Sequence, residues 1–260
     1  PLSGNQWWML YISNFRFGQF PYGFTLDMRY SNSSTVSAYN PSSNSAVQYT
    51  STPTSPQMIW WTAQGGNSDW SNIQNWGGCA RPSCDSATSA TIAKYYSPSN
   101  PYMPIINGTG GAEVTKSLTI RPSGTLTVNS GQNFNVCGNW LNLGTFTAQS
   151  TSTVSCFTNF NTQYFDGNMS GSNSFYNLTM NKSGGTPRHM NLFNKAQVAG
   201  TLTLNNGKII TGFKELYVTN NAPTAIPLVF SPQSYVQGNL RRNINPSGGI
   251  YYYPVGLPAS

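Results

Sequence analysis

The stretch that decides the fold is residues 117–128, which read Ser117-Leu-Thr-Ile120, the turn Arg121-Pro-Ser-Gly124 and then Thr125-Leu-Thr-Val128. Apolar and polar side chains alternate in both flanking segments, which predicts short strands with one buried face. Segments of the same kind recur along the chain between Gly, Ser and Asn turns. They are residues 133–136, 144–147, 153–156, 177–180, 201–204 and 215–218.

Strands this short do not form a stable hairpin pair by themselves. They suit the turns of a solenoid, where each strand pairs in parallel with its equivalent in the next turn and stacking creates the core. The sequence therefore predicts an all-β fold with a parallel β-helix-like solenoid over 58–260. The alternative is an antiparallel sandwich, which also contains many short strands.

Residues 1–57 have a different pattern. The period-two segment Phe24-Thr-Leu-Asp-Met-Arg-Tyr30 predicts a half-buried strand. The tract Ser51-Thr-Pro-Thr-Ser-Pro56 has no large apolar side chain and is typical of a linker. We therefore place a domain boundary near residue 57, with a small β-rich, sandwich-like segment before it.

The composition excludes several classes of protein. The 260 residues are 7% charged, against about a quarter in a typical soluble domain. There is no run of about 18 apolar residues, so no transmembrane helix is expected. The 13 Lys and Arg and six acids leave a formal charge of +7, but the basic residues are dispersed, which argues against nucleic-acid binding. An uncharged, polar, β-rich chain is typical of exported surface proteins.

The cysteines give the best indication of the compartment. They are Cys79, Cys84, Cys137 and Cys156. Their spacing matches no zinc motif and the single histidine, His189, is distant in sequence, so no metal site is expected. Four cysteines allow three pairings, and pairing of nearest neighbours predicts the disulfides Cys79–Cys84 and Cys137–Cys156, and hence an oxidising compartment. The alternative is four free, buried thiols in a cytosolic protein, and the composition argues against it.

Parallel β-helices also include polysaccharide lyases and hydrolases, so catalytic residues were sought. Glycoside hydrolysis needs two carboxylates about 5 to 10 Å apart, and none of the acids is a close sequence neighbour of another. The acids are Asp27, Asp69, Asp85, Glu113, Asp166 and Glu215. We therefore expect no enzymatic activity and no cofactor, and a partial polysaccharide lyase or hydrolase is the third hypothesis for the chain.

Tryptophans are concentrated near the start of the predicted solenoid. Trp70 and Trp76 lie in a loop of turn-forming residues, and we expect them to plug the open end of the solenoid. Adjacent residues of a strand face opposite sides, so one ring of Trp60-Trp61 and one of Trp7-Trp8 face away from their own core. Such rings are also candidate sugar platforms, which makes a carbohydrate-binding module the second hypothesis.

The run from Trp60 to Trp76, together with Pro82 and the segment 85–92, resembles a module common in large secreted proteins of Bacteroidota. The closing segments 235–242 and 251–256 resemble the end of that module, so the resemblance covers roughly 58–256. It implies a parallel β-helix-like stalk in a surface-exposed, adhesin-like protein exported by the type IX secretion system. Asp85-Ser86-Ala87 matches the short O-glycosylation signal of such proteins, with Ser86 as the candidate attachment site.

The leading hypothesis is a non-catalytic structural or adhesive segment of a large extracellular protein. Because the chain begins at Pro1 without a signal-peptide pattern, we expect it to be part of a longer protein. Its expected partners are other domains, further copies of itself or a surface glycan. The candidate assembly interface comprises Trp7, Trp8, Tyr251, Tyr252 and Tyr253, whose aromatic rings fall on both faces of their segments.

Overall fold

The computed structural model describes residues 58–77, 81–84, 89–94, 101–109, 113–157, 162–182, 189–228 and 233–257. The predictions for the segment 1–57, including Trp7 and Trp8, and for Cys79 and Ser86 lie outside these residues. Within them the chain forms 17 β-strands and three short 3-10 helices.

The strands fall into short repeating groups along the chain. The first nine are β1 (Met58–Trp60), β2 (Ser89–Ile92), β3 (Ile105–Ile106), β4 (Glu113–Thr115), β5 (Leu118–Ile120), β6 (Thr125–Val128), β7 (Asn133–Val136), β8 (Trp140–Asn142) and β9 (Thr145–Ala148). The others are β10 (Thr153–Phe157), β11 (Thr162–Gly167), β12 (Asn177–Asn181), β13 (His189–Leu192), β14 (Ala196–Val198), β15 (Leu202–Asn206), β16 (Lys208–Val218) and β17 (Val236–Arg242). The 3-10 helices are Ile73–Asn75, Gly171–Asn173 and Pro223–Ala225.

These strands build a parallel β-solenoid of about five turns. The turns are β2–β3–β4, β5–β6–β7, β8–β9–β10, β11 with the second 3-10 helix and β12, and β13–β14–β15. Stacking of equivalent strands gives a nine-, a five- and a three-stranded sheet. Every pairing between these described strands is parallel, which confirms the predicted solenoid and excludes the antiparallel sandwich for this part of the chain.

The two long strands at the carboxyl-terminal end bend around a corner of the solenoid. The first part of β16 pairs with β13 and its last residues pair with β14, so that one strand serves two faces. β17 pairs with β16 along both parts, with register shifts at Gly212 that mark a bulge. The corner between the two faces is therefore a kink within continuous strands at this end.

The core consists of inward side chains stacked in rows along the solenoid axis. In one row Ala90, Leu118, Trp140, Phe165 and Leu192 follow one another in register through successive turns. All five are buried. Burial of a large apolar side chain is worth about 1.5–3 kcal/mol, and the alternation of Leu, Thr and Ile supplies such a side chain at every second position. The stacked rows make one continuous hydrophobic core.

The structure corrects the predicted disulfides. Cys84 pairs with Cys137, with Cα atoms 5.6 Å apart, and Cys156 is a buried free thiol. Cys156 is in register with Val136 and therefore faces the core, while Cys137 is the next residue along and lies at the corner after β7. The predicted Cys137–Cys156 pair is wrong because the two side chains have opposite phases. Cys84 bonds to Cys137 in place of the predicted Cys79, which lies outside the described residues.

Candidate functional site

The tryptophans of the opening segment close the amino-terminal end of the described solenoid. Trp61, Trp70 and Trp76 are buried. Trp76 meets Trp61 and Trp70 edge-to-face, with ring centroids 5.1 and 4.6 Å away, and Trp70 meets Phe134 at 5.0 Å. The indole of Trp76 donates a hydrogen bond to the Trp70 carbonyl at 2.8 Å. These contacts match the predicted plug, and they leave the three rings no free face for a ligand.

Trp60 faces away from this plug and is half-buried. A Cβ atom on Gly77 would lie 2.5 Å from the Trp60 indole nitrogen, so the ring packs directly against the backbone of residue 77. Trp60 therefore packs against the end of the tryptophan loop, although its outward direction had made it a candidate sugar platform.

The fold brings together two carboxylates that are distant in sequence, Asp69 and Glu113. Glu113 is 1% exposed and accepts hydrogen bonds from the Ser71 hydroxyl at 3.0 Å and the Gly108 backbone N–H at 3.3 Å. Asp69 accepts from the Ser71 backbone N–H at 2.9 Å and the Thr109 hydroxyl at 2.8 Å. Both acids thus tie the tryptophan loop to the loop after β3.

The environment of Glu113 disfavours its charged form. Burial raises the pKa of Glu113, and the neighbouring Asp69 raises it further. Hydrogen bonds from Ser71 and Gly108 and the charge of Arg81 oppose that increase. A buried acid held by two loop hydrogen bonds suits a structural role, since a glycosidase acid must reach a substrate.

A second polar group lies inside the solenoid at the corner between the five-stranded and nine-stranded sheets. Lys182 continues the inward phase of Leu178 and Met180 and is fully buried. Its ammonium group donates to the His189 carbonyl at 3.5 Å. Burial lowers the pKa of Lys182 to about 8, although the Cys156 thiol opposes this shift. In the sequence, Lys182 lies four residues after Leu178, and this even spacing indicated that its side chain faces the core.

Cys156 and His189 lie at the same corner as Lys182. The Cys156 thiol contacts the Met190 sulfur at 3.4 Å, and burial raises the pKa of Cys156 to about 12. The His189 ring lies 3.0 Å from the Thr162 hydroxyl. Burial, Lys182 and Lys208 lower the pKa of His189. Both shifts favour the uncharged forms, the thiol and the neutral imidazole, whereas a nucleophilic cysteine acts as the thiolate.

At the other end, Arg242 anchors the three consecutive tyrosines. It donates to the Tyr252 carbonyl at 3.0 Å and the Ala222 carbonyl at 2.8 Å. Its guanidinium lies 4.7 Å from the ring centroid of Tyr251 and 5.8 Å from that of Tyr253. Tyr251 and Tyr252 are half-buried by these contacts, and Tyr253 is exposed. The tyrosines of the predicted interface therefore pack partly onto their own solenoid, and Tyr253 stays accessible.

Large apolar side chains project outward on four successive turns, at or near the corner that follows the nine-stranded sheet. We call Leu143, Tyr164, Phe193 and Phe213 the ridge. All four are exposed, and Phe213 is fully so. Tyr164 and Phe193 stack with ring centroids 5.5 Å apart. The four residues are not in register, because Tyr164 pairs with Asn191, two residues before Phe193, and Leu143 follows Asn142, which pairs with Gly167. The short segments that carry it gave no distinct sequence signal.

Cationic side chains lie beside the ridge on the last turns. Lys195 and Arg241 approach the Glu215 carboxylate at 2.8 and 3.9 Å. They lie 5.0 and 4.3 Å from the ring centroid of Tyr217. Lys214, which directly follows Phe213, is exposed. Phe193 and Phe213 are therefore within a few residues of three cations, two of which pair with Glu215.

The described residues contain no cluster of three or more His, Cys, Asp or Glu side chains arranged to hold a metal ion. In the same part of the chain, no helix has the length and apolar character needed to cross a membrane. No protein-family profile, curated protein or solved structure matches the chain.

Proposed function

We propose that the chain is a non-catalytic structural and adhesive segment of an extracellular surface protein. The observation that carries this proposal is the outward-facing ridge on a continuously stacked solenoid. The ridge exposes apolar side chains on four turns, whereas soluble monomers seldom expose large apolar patches without a binding role. The rows of core side chains beneath it hold the strands in fixed register.

The extracellular part of the proposal rests on the cysteines and on the resemblance. The disulfide between Cys84 and Cys137 favours an oxidising compartment. The resemblance of 58–256 to secreted Bacteroidota modules favours a surface protein, and we propose type IX export on that ground alone. The candidate O-glycosylation of Ser86 belongs to the same proposal.

A carbohydrate-binding role is the second candidate, and the stacked pair Tyr164 and Phe193 favours it. An enzymatic role has less support. The two acids that approach each other, Asp69 and Glu113, hold loops together, and Glu113 is buried.

The test incubates the full chain with a panel of neutral and acidic polysaccharides and records bound protein and newly formed chain ends. We expect binding to at least one member without new chain ends. Time-dependent cleavage that disappears in the Glu113→Gln variant would overturn the non-catalytic assignment.

A further inference from the structure

We propose that the ridge and the cations beside it form a binding surface for an anionic polysaccharide, such as a polyuronate or a sulfated glycan. This inference rests on the adhesive function proposed above and specifies its ligand class. It concerns the outer surface of the last turns, away from the tryptophan cap and from the buried polar corner.

The surface beside the ridge carries a surplus of positive charge. Three cationic side chains, Lys195, Lys214 and Arg241, lie at this surface against one carboxylate, Glu215, whereas Arg242 is buried against the tyrosines. The local surplus is therefore two positive charges, three cations minus one carboxylate. Of these cations, the side chains of Lys195 and Arg241 are 44% and 58% exposed. A ligand that lies along these turns therefore gains from negative charge.

Aromatic and cationic side chains alternate along the last turns. Phe193 is followed two residues later by Lys195, and Phe213 is followed directly by Lys214. Lys195 and Glu215 are equivalent positions of adjacent strands, because Ala196 pairs with Leu216. Arg241 lies one strand further, where it stacks on Tyr217. Aromatic faces accept the apolar faces of sugar rings, while Arg and Lys bind carboxylate or sulfate groups.

The strand register places these groups beside one another on adjacent strands. Asn191 pairs with Ile210 and Ala196 pairs with Leu216, so Phe213 and Lys214 lie opposite the segment between Phe193 and Lys195. Phe193 in turn stacks on Tyr164 of the preceding turn. A polymer that lies across these strands meets several aromatic and cationic side chains at once, and many weak contacts then add up.

Substitutions of Phe213 and Lys214 should not disturb folding. Both side chains are exposed and sit at the bulge around Gly212. We expect Phe213→Ala and Lys214→Gln, each alone, to weaken binding of the full chain to polygalacturonate or heparin by about tenfold. The matched control is Arg121→Gln, which removes an exposed cation from the second turn, outside the ridge.

The experiment measures affinity of the full chain for polygalacturonate, heparin, a neutral glucan and DNA at two salt concentrations. We expect binding to at least one acidic glycan that weakens with salt, little binding to the glucan, and weaker binding to DNA. Arg121→Gln should bind like the original chain. Equal affinity for the neutral glucan, equal or tighter binding to DNA, or full binding by Phe213→Ala would overturn the inference.

The outcomes also distinguish the proposed ligand class from the adhesive function on which it rests. Binding to neutral glycans or to protein-coated surfaces, without binding to acidic glycans, contradicts the ligand class and leaves the adhesive function standing. Cleavage of an acidic glycan contradicts the non-catalytic function even when the ridge variants reduce binding. Light scattering on the same samples tests whether the ridge joins two copies of the chain. A dimer that is lost in Phe213→Ala would also overturn the inference.

Discussion

At the residue scale, Lys182 is the most unusual side chain of the described core, because a lysine is seldom buried without an ionic partner. Its amine is neutral more readily than that of an exposed lysine, since burial lowers the pKa from 10.5 to about 8. Below pH 8 the folded state must therefore hold an ammonium group in the core, while the unfolded chain holds it in water at no cost.

The first prediction follows from this linkage. A folded-state pKa below the unfolded value means that the contribution of Lys182 to stability improves as the pH rises from about 8 to 10.5. We expect Lys182→Met to be more stable than the original chain at pH 7, by on the order of 2–3 kcal/mol. This advantage should shrink toward pH 10.

Denaturant unfolding at several pH values measures this difference, with the exposed Lys214→Met as the matched control. Lys214→Met should follow the original chain throughout the range. A Lys182→Met advantage that stays constant between pH 7 and 10 would show that the lysine does not titrate in the core.

The second prediction concerns Glu113, whose folded pKa lies above its unfolded value of 4.5. For such an acid, stability falls as the pH rises from 4.5 through the folded pKa, because the buried carboxyl must lose its proton. Glu113→Gln keeps an oxygen acceptor for Ser71 and carries no charge. The variant should therefore gain stability relative to the original chain as the pH rises through this window.

The comparison variant is Glu113→Ala, which leaves the Ser71 hydroxyl and the Gly108 N–H without their acceptor. We expect it to lose about 1–3 kcal/mol at every pH. Thermal unfolding from pH 4 to 8 gives both curves. A Glu113→Gln curve parallel to that of the original chain would contradict the account of this buried acid.

Part of this residue-scale detail could be predicted from the sequence. The role of Trp70 and Trp76 as a plug followed from large aromatics in a turn-rich loop before the first repeats. The approach of Asp69 to Glu113 could not be predicted, because it depends on how two irregular loops stack across adjacent turns. The same loops carry no periodic signal, so their register is set by tertiary contacts alone.

At the element scale, the disulfide ties the loop 81–84 to the corner after β7. The bonded cysteines are 53 residues apart in sequence, so the bond closes a long loop in the unfolded chain. The chain-entropy relation gives about 4 kcal/mol of stabilisation for a loop of this length. We predict that Cys84→Ser and Cys137→Ser each lower the free energy of unfolding by about 3–4 kcal/mol.

Peptide mapping without reduction identifies the bond directly. The expected product links the peptides that contain Cys84 and Cys137, and Cys156 reacts with a thiol reagent after denaturation only. The control is Cys156→Ala, which should retain the linked peptide. A linked pair of Cys137 and Cys156 would contradict the register of β7 and β10.

Some of the strands could be predicted from the sequence, and others could not. The segments 125–128 and 133–136 coincide with β6 and β7 because their alternation of apolar and polar residues is complete. β3 (Ile105–Ile106) and β8 (Trp140–Asn142) each contain two adjacent apolar residues, so neither shows an alternation of apolar and polar residues. Their positions are fixed by pairing with neighbouring turns, as in the pairing of β8 with β5 and β11.

At the scale of the whole molecule, the repeating segments were sufficient to predict a parallel solenoid, while its outer surface was not predictable. The inward face follows from alternation, but the ridge depends on which corner residues fall on the same side. Leu143 and Phe193 lie just after strands, where the sequence pattern does not fix direction. The sequence therefore pointed to one ring of each tryptophan pair and to Tyr251–Tyr253 as exposed aromatics, and it did not indicate the ridge.

The fourth prediction concerns self-association at the carboxyl-terminal end. Ile250 and Leu257 are 94% and 86% exposed on the last described segment, and a chain with 7% charged residues has little repulsion between copies. We expect light scattering to show a mass that rises with concentration, and the double variant Ile250→Ser with Leu257→Ser to reduce that rise. A monodisperse monomer at high concentration would contradict the expected contacts between copies of the chain.

The measurement that tests the central claim most directly is retention under flow. Particles coated with the full chain pass over surfaces that carry acidic polysaccharide, neutral polysaccharide or the chain itself, while the effluent is analysed for released sugar. The account predicts retention on at least one of these surfaces with no sugar released. Release of cleaved sugar, or the absence of retention on every surface, would contradict a non-catalytic adhesive segment.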